Sequence, residues 1–449
     1  MKKTILAMTV SVMLTACGGG GGTEPQKTQS VTQPNPTTEA AWQRVDLIAP
    51  IDKSTVTSMP AIWLRSHPPF VVDINQDGYD DLVFALDVVD PLKGSQAAVR
   101  PVVLVYDAGR AAYVRRRDIE QVIEPVQQIR QVLVLGPTIF IADAGYDETS
   151  YGAANQMLIK DAKGQYQQWK IAQYRDYTHD AVSADFDLDQ REEILVINNK
   201  IDQSRQSRCH DAGLAPEHCP YQALEQRSSS YWITFKGSEP QVEPFAAPKE
   251  LEDIFQGTNS DHRDRLQRAR VADVNQDGRP DLVVTTNREV IVLENKGMKT
   301  WHVTARFLAG SCANDSEFQS VRIQDLDGDQ RPEIITTYRC NQDRINRFQV
   351  LGQVGGQWQN QTDRYFDSSN QDPNWGYEFE FVDLDQDGRP DLVQNGSVRW
   401  FRRQADKFVA DVIPYSRWGQ TVIRLGTKVC TVSVINQPTS LELESHCRQ

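Results

Sequence analysis

The stretch Asp383-Leu384-Asp385-Gln386-Asp387-Gly388-Arg389-Pro390-Asp391-Leu392 decides the fold. It places carboxylates at positions 1, 3, 5 and 9 of a short loop and glycine at position 6. Glycine has no Cβ, so it turns the backbone sharply at little steric cost. Alternate side chains of a curling loop can converge on one centre, and carboxylate oxygens suit a hard cation such as Ca²⁺. The stretch therefore predicts a calcium-binding loop.

The same pattern occurs five times, beginning at residues 73, 185, 273, 325 and 383. Positions 1, 3, 5, 7 and 9 of the copies give the candidate metal residues. These are Asp73, Asn75, Asp77, Tyr79, Asp81, Asp185, Asp187, Asp189, Arg191, Glu193, Asp273, Asn275, Asp277, Arg279, Asp281, Asp325, Asp327, Asp329, Arg331, Glu333, Asp383, Asp385, Asp387, Arg389 and Asp391. The copies at 185 and 325 depart from the pattern, because Gln190 and Gln330 replace the glycine and glutamate stands at position 9. Up to five Ca²⁺ sites are expected, and the occupancy of these two copies stays open.

The residues around each loop exclude an EF-hand. An EF-hand loop ends in glutamate at position 12 and lies between two helices. Here position 12 holds no glutamate in any copy, whereas positions 2, 10 and 11 are always apolar. Short apolar, β-branched runs on both sides of a turn are typical of strands. Each loop is therefore expected to join two antiparallel strands.

The unit Asp-x-(Asp/Asn)-x-Asp-Gly-x-x-Asp-Leu between two strands resembles the FG-GAP/VCBS repeat. Proteins of that family build the calcium-binding blades of β-propellers, including the head of integrin α chains. The resemblance is clear at five sites between residues 60 and 412. It implies an all-β chain that folds as a β-propeller.

The spacing of the loops predicts the number of blades. The last two intervals, 52 and 58 residues, suit one four-stranded blade each, and the 88-residue interval suits one blade with an insertion. The first interval, 112 residues, leaves room for an extra blade with strands near 138–143 and 155–159. That makes six blades. The two ends of the chain supply a seventh, in which terminal strands pair and remove exposed edges.

The lengths of the other connections distinguish two faces. If the metal loop joins strands 1 and 2, the connection from strand 2 to strand 3 lies on the opposite face. That connection is long at 86–98, 144–154 and 199–228, but short at 286–289 and at the Asn395-Gly396 turn. One face is therefore expected to be uniform and the other elaborated.

The N-terminal segment has the features of a bacterial lipoprotein signal. Lys2 and Lys3 precede an apolar run, and Leu14-Thr15-Ala16-Cys17 resembles the lipobox. The resemblance implies a signal peptide at 1–16, lipidation of Cys17 and a disordered Gly-, Thr- and Pro-rich tether at 17–41, followed by the propeller at 42–449. Gly18 favours the outer membrane, with the body facing the periplasm or the cell surface.

Composition narrows the class of partner. The net charge of −13 disfavours nucleic acid, which needs a basic surface. Positions 1, 3, 5 and 9 of the loops hold 18 of the 61 acidic residues, so metal sites account for much of the charge.

Six cysteines follow Cys17, which is an even number for an oxidising compartment. Their spacing predicts three local disulfides, Cys209–Cys219, Cys312–Cys340 and Cys430–Cys447. The alternative for the first pair is a Zn²⁺ site with His210 and His218.

Two further groups could carry chemistry. His179-Asp180 could be a base and its orienting group, but no nucleophile accompanies the pair at a recognisable spacing. Several aromatic residues in connections could stack on sugars or on a protein partner, or simply pack between blades. They are Tyr146, Tyr151, Tyr174, Tyr177, Trp375, Tyr377 and Trp418.

These observations favour a non-enzymatic, adhesion-like binding or scaffolding module. The expected partner is an envelope or extracellular protein or glycan, with membrane contact through the lipid anchor only, and the chain is expected to be a monomer. The alternative is a polysaccharide-active or quinone-type propeller enzyme with its site in the central channel, since propellers host both functions.

Overall fold

The computed structural model contains seven antiparallel sheets that form the blades of the fold. These sheets follow one another in order along the chain. The structure describes residues 42–56, 64–66, 68–90, 95–144, 153–169, 171, 177–199, 229–237, 239–256, 264–310, 312, 316–343, 345–367, 371–372, 378–395, 399–412 and 420–448. The chain divides into two units, Met1–Glu39 and Ala40–Gln449, and the described residues belong to the second.

Each blade is a four-stranded meander. Blade 1 contains Phe70–Val72, Asp81–Phe84, Val102–Asp107 and Ala112–Arg115. Blade 2 contains Ile129–Leu135, Thr138–Asp143, Gln156–Lys160 and Tyr166–Trp169. Blade 3 contains Thr178–Ala184, Glu193–Asn198, Tyr231–Lys236 and Glu239–Pro244. Blade 4 contains Leu266–Ala272, Asp281–Thr286, Glu289–Asn295 and Trp301–Leu308.

The later blades follow the same plan. Blade 5 contains Ser316–Gln324, Glu333–Cys340, Asn346–Val354 and Gln357–Asn360, with Gln371–Asp372 paired to its third strand. Blade 6 contains Glu378–Val382, Asp391–Asn395, Arg399–Gln404 and Lys407–Val412. Blade 7 contains Gln420–Leu425, Lys428–Asn436 and Ser440–Arg448. Short helices lie at Lys53–Thr55, Arg117–Glu120, Lys249–Leu251, Glu252–Phe255 and Thr362–Tyr365. No helix among the described residues is long and apolar enough to cross a membrane.

Blade 7 is closed by the N-terminal end of the body. Trp42–Arg44 pairs with Ser440–Arg448, with Trp42 opposite Arg448, and Ile51–Asp52 pairs with the other end of the same strand. The prediction of a seven-bladed propeller with terminal strands closing the last blade is confirmed.

In the part of the chain that the structure describes, the hydrophobic core consists of seven clusters, one between each pair of adjacent blades. The cluster between blades 7 and 1, for example, joins Ile423 and Val432 to Leu82 and Leu104, all of which are buried. Because each blade has two buried faces, its second strand reads as a continuous apolar run, such as Leu82-Val83-Phe84. The seventh cluster, between blades 6 and 7, completes the ring.

Two of the three predicted disulfides lie within the described residues and are confirmed. Cys312 bonds to Cys340 in blade 5. Cys430 bonds to Cys447, its cross-strand neighbour in blade 7. The third prediction, Cys209–Cys219, lies outside the described residues, as do the signal, the tether and Cys17.

The connection at 86–98 is long, as predicted, and it contains β-structure that the sequence analysis did not predict. It contains the strands Leu86–Asp90 and Ser95–Ala97, which form a separate three-stranded sheet with Leu64–Ser66. The physical reason is in the sequence, where apolar and β-branched residues continue past Phe84 as Leu86, Val88 and Val89.

Candidate functional site

All five acidic loops lie on one face of the ring. Each joins strands 1 and 2 of its blade, in blades 1, 3, 4, 5 and 6, as the sequence predicted. Blades 2 and 7 have two-residue turns at 136–137 and 426–427 in the same place. The first strands of neighbouring blades pack against each other and form the inner wall of the ring.

The loops share one backbone conformation. Positions 4 and 6 have positive φ angles in every copy, a conformation that favours glycine. At position 6, Gly78, Gly278 and Gly388 have φ angles of 85°, 83° and 86°. Gln190 and Gln330 adopt the same conformation, with φ angles of 71° and 70°. The two copies without glycine at this position therefore keep the shape of the loop.

Side-chain to backbone hydrogen bonds hold that shape. In the loop at 383, Asp383 accepts hydrogen bonds from the N–H groups of Asp387 at 3.0 Å and Gly388 at 2.9 Å. Position 5 then accepts a hydrogen bond from the N–H of position 7 in all five copies. The position-7 donors are Tyr79, Arg191, Arg279, Arg331 and Arg389.

The position-9 carboxylate is buried and ties the loop to the blade. One oxygen of Asp391 accepts a hydrogen bond from the N–H of Leu384 at 3.0 Å, and the other accepts one from Arg403 on the third strand at 2.7 Å. Asp81 and Asp281 make the same two contacts in their own blades. Glu193 and Glu333 keep the contact to position 2, with Phe186 and Leu326.

Burial makes the charge of these carboxylates unfavourable when no cation is near. It raises the pKa of Asp391 to about 7, even though the Arg403 N–H opposes the shift. Burial likewise raises the pKa of Asp81 to about 6 and that of Glu193 to about 7. A cation at the centre of the loop would favour the ionised form of each group.

Three loops bring their acidic oxygens close together. Ligand atoms within 4.8 Å of one another come from Asp185, Asp187, Asp189 and Glu193, from Asp325, Asp327 and Glu333, and from Asp383, Asp385 and Asp391. Clustered oxygen donors of this kind could hold a hard metal ion. The two copies that lack the turn glycine are among the three.

A basic side chain accompanies each aspartate at position 3. Lys299 Nζ lies 3.3 Å from Asp187 Oδ2 and 3.8 Å from Glu193 Oε1. Arg364 and Arg402 approach Asp327 and Asp385 at 2.8 and 3.3 Å. The loops at 73 and 273 have asparagine at position 3, and its amide donates to the aspartate at position 5. Position 3 therefore carries either a neutral amide or a carboxylate with a basic partner. Sequence reasoning missed these partners, because Lys299 comes from a turn, Arg364 from a short helix and Arg402 from another strand.

Substitutions at position 6 should report the backbone conformation of the loop. A Cβ added to Gly388 meets no atom within 4 Å, so alanine fits there without a clash. Gly388→Ala should still lower the unfolding free energy by about 1 kcal/mol, because alanine disfavours the left-handed backbone conformation. For the same reason Gln330→Gly should raise the unfolding free energy by up to about 1 kcal/mol. Urea unfolding of the variants measures both. Gln121→Gly, at a φ angle of −69°, is the control that should lose stability. If Gln330→Gly lowers the unfolding free energy as much as this control does, the left-handed conformation assigned to Gln330 is wrong.

A second set of ionisable side chains lies on the inner strands. Glu378 of blade 6 accepts hydrogen bonds from Arg268 Nε at 2.7 Å, Arg270 Nη2 at 3.3 Å and Ser320 Oγ at 2.9 Å. It also forms an ion pair with Arg322, whose Nη1 lies 2.9 Å from Glu378 Oε2. These donors belong to blades 4 and 5. The network therefore joins the first strands of three blades in the central channel.

The side chains of His179 and Asp180 contact different partners, although Arg268 and Arg270 connect both residues to Glu378. Asp180 Oδ2 accepts hydrogen bonds from Arg270 at 2.8 Å and from the N–H of Ala269 at 3.0 Å, so it links blades 3 and 4. His179 Nδ1 lies 2.7 Å from the carbonyl oxygen of Gln267. Burial, followed by the charges of Arg130 and Arg268, lowers the pKa of His179 well below its usual value. The contacts of Asp180 do not give it the role of orienting His179. Of the seven aromatic candidates, only Tyr177 lies within the described residues.

The Glu378 network predicts a specific loss of stability in acid. Burial alone would raise the pKa of Glu378, but Arg322, Arg268 and Arg270 outweigh it and lower the pKa to about 2 from the usual 4.5. Because the folded-state pKa is depressed, this stabilisation is complete above pH 4.5 and is lost as the pH falls towards 2. Between pH 5 and 2, the wild type should therefore lose more unfolding free energy than Glu378→Gln. Parallel urea titrations of the two proteins test this, and curves of equal slope would contradict it.

Comparisons with known proteins agree with the fold. The family profile described as "FG-GAP-like repeat" matches residues 273–336 and 325–394, which contain three of the acidic loops. No curated protein matches the chain significantly.

Solved structures resemble the chain at low sequence identity. One is an Agrocybe aegerita lectin that recognises non-reducing terminal N-acetylglucosamine, at 16% identity and a TM-score of 0.45, covering 85% of this chain and 90% of the lectin. A second is PpgL, a periplasmic gluconolactonase of Pseudomonas aeruginosa, at 11% identity and a TM-score of 0.47, covering 85% and 89%. A third is the N-terminal domain of Nup159, at 9% identity and a TM-score of 0.44, covering 93% and 98%.

The seven antiparallel blades, the repeated acidic hairpin loop and the matched repeats lead to one assignment. Residues 273–394 match FG-GAP-like repeats, and the described residues form a seven-bladed β-propeller.

Proposed function

We propose that this protein is a calcium-stabilised β-propeller that serves as a binding or scaffolding module for a protein or glycan partner. The observation that carries the proposal is the difference between the two faces of the ring. On the metal-loop face the connection from strand 1 to strand 2 is short in every blade, with eight residues in five blades and two residues in blades 2 and 7. The connections from strand 2 to strand 3 on the opposite face are much longer in some blades, as from Asn198 to Tyr231 in blade 3.

The elaborated face is the expected partner site. In blade 1 the same connection contains two strands of a separate sheet, Leu86–Asp90 and Ser95–Ala97. Long connections that are not needed for the fold are commonly functional. Partner sites in ring-shaped folds also gather where loops surround a central depression.

Calcium is the proposed metal because the donors are oxygens. The clustered ligand atoms in the loops at 185, 325 and 383 are all carboxylate oxygens. Zn²⁺ and copper prefer imidazole and thiolate ligands, whereas Ca²⁺ takes six to eight oxygens. A bound ion would offset the repulsion between these carboxylates and keep the metal-loop face rigid.

We further propose that the body is attached to the outer membrane through lipidated Cys17. The support is the sequence Leu14-Thr15-Ala16-Cys17 after a short apolar run. Metabolic labelling with a fatty acid tests the anchor. Cys17→Ser should abolish labelling and release the protein from the membrane fraction, and labelling that persists in this variant would exclude it.

A deletion tests the partner face. Replacing 203–226 by a short Gly-Ser linker removes Cys209 and Cys219 together, so no unpaired thiol remains. Partner capture from envelope extracts under calcium should be lost, while the calcium-dependent melting temperature should stay nearly unchanged. A deletion variant that melts normally and still captures the same partners would contradict the proposed face. Gly388→Ala, on the metal-loop face, is the control that should retain capture.

An enzyme with its site in the channel is the second candidate. Glu378 and Glu380 stand two positions apart on one inner strand, and their pKa values move in opposite directions. Burial raises the pKa of Glu380, whereas the three arginines lower that of Glu378. Two neighbouring carboxyl groups whose pKa values are shifted in opposite directions are typical of acid–base pairs. Turnover of envelope glycans that disappears in Glu380→Gln would favour this candidate over the binding module.

A further inference from the structure

The channel contains a basic cluster in a strongly acidic protein. Around His179 and Glu378 lie five guanidinium groups and, among the described residues, three carboxylates. The guanidinium groups belong to Arg130, Arg265, Arg268, Arg270 and Arg322, and the carboxylates to Asp180, Glu378 and Glu380. The chain as a whole has a net charge of −13. A local excess of positive charge in such a protein favours an anionic ligand at this place.

The arginines lie close enough together to change the pKa values of neighbouring side chains. Burial, followed by the neighbouring charge of Arg270, lowers the pKa of Arg322. His179 is kept neutral by burial and by the charges of Arg130, Arg268 and Arg265. The positive potential in the channel is therefore only partly offset by the three carboxylates.

The cluster extends along the inner strands, because Arg268 and Glu378 stand five positions before the following metal loop whereas Arg270 and Arg322 stand three positions before it. Four inner strands have a β-bulge at the same place, where the register skips Arg130, His179, Gln267 and Gln319. Each of these residues stands six positions before the loop or turn that follows its strand. Bulges re-aim side chains and are over-represented next to functional sites. Their alignment in four blades places polar side chains at one level of the channel.

The contacts of Glu378 show that the arginines can bind a carboxylate group. Its carboxylate accepts hydrogen bonds from two guanidinium groups and from the Ser320 hydroxyl at 2.7 to 3.3 Å, and it forms an ion pair with Arg322 at 2.9 Å. The planar guanidinium group matches the geometry of a carboxylate. The Glu378 side chain is still 27% exposed, so a ligand can reach the position that it occupies.

One buried amide is left without a partner beside this network. Gln319 is 6% exposed, and neither of its amide atoms has a hydrogen-bond partner among the described residues. It precedes Ser320, which donates to Glu378. A buried polar group without a partner is unfavourable, so this amide also indicates a ligand or ordered water at the cluster.

We propose that the arginine cluster on the inner side of blades 2, 4 and 5 binds a carboxylate group of a ligand, and that Glu378 occupies this position when the ligand is absent. The ligand carboxylate exchanges with that of Glu378 and takes over its hydrogen bonds. The inference deepens the proposed binding function by naming the chemistry that the channel recognises. It does not depend on the macromolecular partner, because the test uses a small probe.

The probe is sodium glucuronate, with glucose as a neutral control of the same ring size and inorganic phosphate as a second anion. Isothermal titration calorimetry should detect glucuronate binding and no glucose binding. Glu378→Gln removes the internal competitor and should raise the affinity for glucuronate about tenfold. Arg322→Gln should lower the affinity for glucuronate about tenfold or more. Arg322→Lys should lower it by less, because lysine keeps the positive charge but lacks the planar guanidinium group that can make two parallel hydrogen bonds. Arg110→Gln, an exposed arginine in the outer hairpin of blade 1, should have no effect.

Several results would overturn the proposal. Glucuronate should raise the melting temperature of Glu378→Gln. If glucuronate gives neither a binding heat nor a higher melting temperature with this variant or with the wild type, the cluster is only a structural network. Equal binding of glucose excludes recognition of the carboxylate. Tighter binding of phosphate than of glucuronate overturns the carboxylate assignment. If Glu378→Gln does not fold, the comparison of Arg322→Gln with Arg322→Lys decides the matter, and equal affinities of these two for glucuronate would contradict the proposal. Partner capture after deletion of 203–226 is unaffected by any of these outcomes.

Discussion

Asp391→Ala is expected to lower the unfolding free energy by about 4 kcal/mol in the absence of metal. The substitution removes the acceptor for two N–H groups, those of Leu384 and Arg403. Asp391 itself is fully buried, and each buried donor left without a partner costs about 1–3 kcal/mol. Urea unfolding in EDTA measures the loss, and the fluorescence of Trp400 in the adjacent core reports it.

The matched control in the same loop is Asp387→Ala. Asp387 is exposed, and its backbone contact is the hydrogen bond from the N–H of Arg389 at 2.9 Å. In EDTA this substitution should cost about 1 kcal/mol. With calcium present both variants should lose further stability, because each removes a carboxylate from the candidate metal loop. Equal losses for the two variants in EDTA would show that position 9 does not tie the loop to the blade.

Removal of calcium is expected to have the largest effect of all. A site held at 100 times its dissociation constant contributes about 2.7 kcal/mol, and five such loops are present. Chelation with EDTA should therefore lower the melting temperature by about 10 °C or more. Differential scanning calorimetry in 1 mM CaCl₂ and in EDTA measures the change. Magnesium should restore less of the loss, because it demands a near-octahedral shell of its own waters. A melting temperature that is the same in calcium and EDTA would mean that the loops act only as turns.

Much of the fold could be predicted because its determinants are local. The carboxylate spacing and the apolar positions 10 and 11 define a hairpin within about ten residues of chain, and the loop at 383 shows that hairpin. The closure of blade 7 was predictable because both ends of the body had to supply strands. Cys430 and Cys447 are equally distant from their turn, which predicts the cross-strand pair.

The features that escaped prediction depend on contacts between distant parts of the chain. Lys299 reaches Asp187 from a turn of the next blade, and no local pattern in the sequence marks that approach. Arg268 meets Glu378 only because the ring brings blade 4 and blade 6 together across the channel. The left-handed conformation of Gln330 was equally hidden, since the glycine that usually indicates it is absent.

The number of calcium ions bound by the folded chain is the most direct test of the central claim. Equilibrium dialysis of the metal-free protein against calcium, followed by mass spectrometry of the metal, gives this number. We expect several Ca²⁺ per chain and at most five, with about one fewer after the double substitution Asp383→Ala and Asp385→Ala. A folded protein that binds no calcium at millimolar concentration would contradict the account.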